Sequence, residues 1–225
     1  MVQLKKTIST LNTGFRLAIA NDGVSRLEDT NLIGFLYSDA HIGRGSNDSP
    51  MIATNASFPH FDRELRRYFK VLNTYYPNKF KDSKGFSIKC DGHPGYKHLD
   101  GVCPGDEFPF SNGYYTMILA DGSIVYLMLF DNHNKYKSGT IGGKRVINNG
   151  FIRIDVNGSK SPNQYGRDFF EFNLSSDGTI FSELFYDDYW EPDFIDTHCN
   201  TNTDDGRRAD TCGARVLKDG FVMNY

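Results

Sequence analysis

Ile154-Asp155-Val156-Asn157-Gly158-Ser159-Lys160-Ser161-Pro162-Asn163-Gln164-Tyr165-Gly166-Arg167-Asp168 joins two runs that read as strands, Gly150 to Ile154 and Phe169 to Leu174. The stretch is dense in hard oxygen donors and holds two glycines and a proline, the composition of a loop that turns back on itself. Asp155 and Asn157 have the spacing that opens an EF-hand loop, and Asp168 stands at the mouth of the second strand. Calcium takes six to eight oxygens at about 2.3–2.6 Å from a loop that can wrap it. Asp155, Asn157, Asn163 and Asp168, with backbone carbonyls near Ser159 and Ser161, are therefore the candidate metal ligands. The EF-hand pattern itself fails, because Gly166 occupies its twelfth position and no helices flank the loop. The other reading is a β-arch without metal. There Asx side chains bond their own backbone, Gly158 and Gly166 supply positive φ, and the Arg167 guanidinium satisfies Asp155 or Asp168.

Outward from this loop the chain keeps a strand period. Tyr114 to Leu119 alternates up to Asp121-Gly122, and Ile124 to Phe130 returns from that turn as the partner of a hairpin. Asp177-Gly178 marks a turn after the Phe169–Leu174 run, and Phe86 to Lys89 is a short strand candidate. At the end, Lys218-Asp219-Gly220 reads as the turn of a terminal hairpin joining Ala214–Leu217 to Phe221–Tyr225.

The first part of the chain has a helical period instead. Leu4, Ile8, Leu11, Phe15 and Ala18 or Ile19 share one face, and Asn21-Asp22-Gly23 stops the helix. Phe61, Leu65, Tyr68 or Phe69, Leu72 and Tyr75 or Tyr76 predict a second amphipathic helix ending at Pro77. Between them, Glu28 to His60 reads as a long loop with one short helical or strand piece around Leu32 to Tyr37. Helices first and strands afterwards imply an α+β fold with an antiparallel sheet.

A net charge of −3 and a pI near 6.1 offer no basic field, which argues against a nucleic-acid partner. No apolar run approaches the roughly 20 residues that span a bilayer, and no signal peptide precedes Met1. Four cysteines form two local pairs, Cys90 with Cys103 and Cys199 with Cys212, twelve residues between the members of each. Three connectivities are possible; two local loops are the simplest, and each closure contributes roughly 3 kcal/mol in the chain-entropy model. The rival four-cysteine zinc site lacks the Cys-x-x-Cys knuckles it normally uses. Disulfides imply an extracytoplasmic location.

No His-Glu-x-x-His, nucleophile elbow or phosphate loop occurs. His93 and His98, five apart in the first cysteine loop, are the weak alternative for zinc. Asp187, Asp188, Glu191, Asp193, Asp196, Asp204 and Asp205 surround Trp190 and the second cysteine loop. Most such runs are a solvated face; facing carboxylates would suit a glycosidase, and Tyr186, Tyr189, Trp190, Asp204 and Asp205 would suit a partner or ligand surface.

Three segments carry a family resemblance. Asp155, Asn157, Gly158, Pro162, Asn163, Gly166, Asp168, Phe170 and Phe172 form the pattern Asp-x-Asn-Gly, Pro-Asn, Gly-x-Asp-x-Phe-x-Phe. It resembles a stretch in the globular heads of bacterial type IV pilin-like proteins, which include minor pilins and type II secretion pseudopilins. The ending, Cys212 to Gly220 closing on Asn224-Tyr225, is similar to the family's final Cys, aliphatic strand, Asp-Gly turn and Asn-Tyr. The opening helix, Leu4 to Ala20 with Asn21-Asp22-Gly23, is a third match. The resemblance implies one pilin-like domain over 1–225. In it, 1–20 are the C-terminal part of the N-terminal helix, 21–110 a helix and loop insertion, and 111–225 the sheet with its cystine loop. It further implies a non-enzymatic pilus or pseudopilus subunit at the cell surface or in the periplasm. Its head would be a soluble monomer, and a hydrophobic helix segment missing from this chain would contact the membrane and the other subunits. The alternatives are a secreted calcium-dependent adhesin or binding protein, and a secreted carbohydrate-active enzyme.

Overall fold

The computed structural model describes residues 1–34, 58–75, 89–90, 93–94, 96–99, 101, 103, 115–129, 138–188, 193–200 and 209–223. Helix α1 (Val2–Asp22) opens the chain, followed by α2 (Phe58–Tyr68). Nine strands come next: β1 (Val71–Tyr75), β2 (Lys89–Cys90), β3 (His93–Pro94), β4 (Tyr115–Leu119), β5 (Ile124–Leu129), β6 (Ser138–Ile141), β7 (Lys144–Asp155), β8 (Phe169–Ser175) and β9 (Ile180–Phe181). Two helices, α3 (Phe194–His198) and α4 (Ala209–Lys218), finish it, and 3-10 turns lie at Leu27–Asp29 and Glu183–Phe185. The fold is α+β, as the order of periodicities implies. The main sheet runs β1-β4-β5-β7-β8-β9, with β6 on the first half of β7, and every pairing is antiparallel.

The pleat explains why β5 reads as an unbroken apolar run. Val125, Leu127 and Leu129 point to one face, where Leu4, Ile8, Leu11 and Phe15 of α1 join Ile152, Ile154, Phe170, Phe172 and Leu174 in the main core. Ile124, Tyr126 and Met128 point to the other face and pack with Tyr96, Tyr165 and Phe169. A sheet buried on both sides has no polar face to alternate with. The α1 face is the one its spacing indicates, and burial of its four large side chains contributes about 1.5–3 kcal/mol each.

Two elements differ from the sequence reading. The second helix stops at Tyr68, well before Pro77, and Val71–Tyr75 becomes the edge strand beside β4. Helical spacing at Leu72 and Tyr75 is overridden because the Tyr115–Leu119 strand offers a ladder, and Leu72 is left 65% exposed. Arg66 Nη1 donates to Val71 O at 3.1 Å, turning the chain from helix into strand. The region 21–110, read from the sequence as a helix and loop insertion, thus lends the strand Val71–Tyr75 to the main sheet. The second difference is at the end, where Ala214–Leu217 is helical within α4 and no terminal hairpin forms from it. Cys212 and Val216, four apart, reach the main core, while Ala214 packs with Leu184 and Ile195. Asp219-Gly220 acts as a helix stop: Gly220 takes φ 65° and Phe221 N–H donates back to Val216 O at 2.8 Å. Strands β6 and β9 have no counterpart in the sequence reading. Of the Phe86–Lys89 candidate, only Lys89 lies within the described residues, in the two-residue β2. Of the Leu32–Tyr37 piece, the described part, to Gly34, is a turn.

Helix α4 covers the flank of β8 beyond the short β9, and Gly213 makes that approach possible. A Cβ there would overlap the backbone oxygen of Glu171. Gly213→Ala should lower the unfolding free energy by about 1–3 kcal/mol in urea denaturation, because this overlap outweighs the roughly 1 kcal/mol that alanine gains in a helix.

Candidate functional site

The β7–β8 loop brings two buried carboxylates together. Asp155 ends β7 fully buried, and Asp168, 3% exposed, precedes β8. Asp155 Oδ1 accepts from the amides of Asn157 (3.1 Å) and Gly158 (2.8 Å), and Oδ2 accepts from the Tyr96 hydroxyl at 2.8 Å. That hydroxyl also lies 2.9 Å from the Tyr126 hydroxyl on β5. Asp168 Oδ2 accepts from Asn157 Nδ2 (2.9 Å) and the Asn163 amide (2.8 Å), and Oδ1 from the Gln164 amide at 2.5 Å. Asn157 therefore bridges the two carboxylates, its backbone on one and its side chain on the other. All four candidate metal ligands are brought together.

The electrostatics follow from burial. Desolvation pushes the Asp155 carboxyl up to about 8; the Tyr96 hydrogen bond opposes the rise and the Asp168 charge adds to it. Asp168 is raised for the same first reason, against the pull of its amide donors. Arg167 is exposed and pairs with neither, and none of the ion pairs among the described residues involves Asp155 or Asp168. The alternative in which the Arg167 guanidinium satisfies one of them is not what is seen: backbone amides, Asn157 and a tyrosine hold them. Among the described residues no three His, Cys, Asp or Glu side chains cluster as a metal site.

The loop clamps a distant segment. Gln164 Nε2 donates to the carbonyls of His98 (2.6 Å) and Leu99 (2.9 Å), and Lys97 exchanges backbone bonds with Asn163 and Tyr165. Tyr96 stacks on Phe169 with centroids 4.1 Å apart, and Tyr165 meets the same ring edge-on at 5.3 Å. Gly158 and Gly166 hold positive φ of 64° and 72°. They also face tight neighbours: a Cβ would lie 2.8 Å from Gly122 O at the first and 2.7 Å from Cys212 Sγ at the second. Gly166 thus seats the loop against the Cys199–Cys212 disulfide, which ties the end of α3 to α4. Tyr96, Tyr126 and Gln164 are the residues that sequence reasoning missed. Tyr96 and Asp155 are 59 positions apart, and no local spacing connects them.

Other expected site residues are placed differently. Tyr186, expected on a partner surface, is 8% exposed because its ring covers Gly139 of β6 and packs with Phe181. Asp187 accepts from the amides of Gly142 (2.8 Å) and Gly143 (2.9 Å) and so caps the β6–β7 turn. Tyr189, Trp190, Asp204 and Asp205 lie outside the described residues. Cys103 is disulfide-bonded, and the side chains of Cys90 and His93 lie outside the described residues. No described helix is long and apolar enough to cross a membrane.

Comparison of the chain with protein-family models, with curated proteins and with solved structures found no match.

The clamp predicts a local readout. Gln164→Ala removes the side-chain donor from two carbonyls at once, costing about 1–3 kcal/mol of stability. Hydrogen exchange should then show the amides of Lys97 and Tyr165 opening while those of β5 stay protected.

Proposed function

We propose that this chain is a non-enzymatic structural subunit, the globular head of a type IV pilin-like protein of a pilus or type II secretion pseudopilus. The observation that carries the reading is the architecture around α1. The chain opens with a 21-residue amphipathic helix that lays its Leu4–Phe15 face along an antiparallel sheet. The loop that bears the resemblance, Asp155 to Asp168, turns the side chains of Asp155, Asn163, Gln164 and Asp168 inward. Asp, Asn, Pro and Gly at these positions make sense as architecture, each serving a turn or a buried carboxylate. The terminal match supports the reading less, since Cys212 to Leu217 is helix where the family pattern has a strand. In this reading the exposed apolar residues of α1, Val2 at 86% and Leu17 at 47%, meet neighbouring subunits.

The test uses cells that carry the native gene. Filaments sheared from the surface, or pseudopilus fractions, should contain the protein, and Leu17→Asp should lower its incorporation severalfold while leaving its melting midpoint unchanged. Recovery of the wild-type protein only in fractions free of filaments would overturn the proposal, as would a native gene without a hydrophobic helix segment ahead of residue 1.

A further inference from the structure

We draw no further inference here: the strongest candidate, the buried cluster on the second face of the sheet in which the Tyr126 and Tyr96 hydroxyls meet Asp155, belongs to the site already described, and its groups hold one another without pointing to a ligand.

Discussion

Two carboxylates buried at the ends of one loop, with no basic side chain among the described residues to pair them, are the constraint around which this molecule is arranged. An ionised carboxylate taken from water costs several kcal/mol unless donors replace its hydration. Asp155 and Asp168 find those donors in the loop's own amides, in Asn157 and in Tyr96. For the amides to converge, the loop must curl inward, which places Asn163 and two glycines at positive φ. For Tyr96 to arrive, the segment to Leu99 must dock on the sheet's second face. The same loop therefore closes the β7–β8 hairpin, holds the Tyr96–Leu99 segment and seats the disulfide against Gly166.

The two faces of the sheet do different work. The α1 face is predominantly apolar and carries the bulk of the burial. The opposite face mixes aromatic rings with polar side chains: Tyr96, Tyr126, Tyr165 and Phe169 lie beside Asp155, and Arg153 pairs with Glu171 next to Asn173. Burial pushes the Glu171 carboxyl up, the Arg153 charge pulls it down, and Asp210 on α4 adds to the rise. Polar groups in such surroundings discriminate between arrangements of the chain, because a shifted register strands them without partners. The apolar face supplies stability and the mixed face supplies specificity. The pilin-like reading draws on the first.

How far the elements were legible depends on how local their causes are. The α1 face, the Asp121-Gly122 hairpin and the β7–loop–β8 unit were all readable, since each is dictated by neighbours within a few residues. Val71–Tyr75 and Ala214–Leu217 were misread. Both are short stretches whose spacing fits more than one period, and a distant partner decided between them: β4 for the first, the flank of β8 and the disulfide for the second. Tyr186 was misplaced for a related reason, because an aromatic beside a run of acids looks exposed until Gly139 opens a seat for it.

The sequence by itself determined that Asp155, Asn157, Asn163 and Asp168 share one loop, and that this loop joins two strands of an antiparallel sheet beneath an N-terminal helix. Turn chemistry, hydrophobic period and hairpin spacing act over a few residues and are written along the chain. Only the tertiary structure decided what those side chains meet. Tyr96 comes from 59 positions away to hold Asp155, Gln164 reaches back to His98 and Leu99, and Arg167 stays outside. Which donor satisfies a buried charge is a contest among groups brought together by folding, and the order of residues along the chain does not record its outcome.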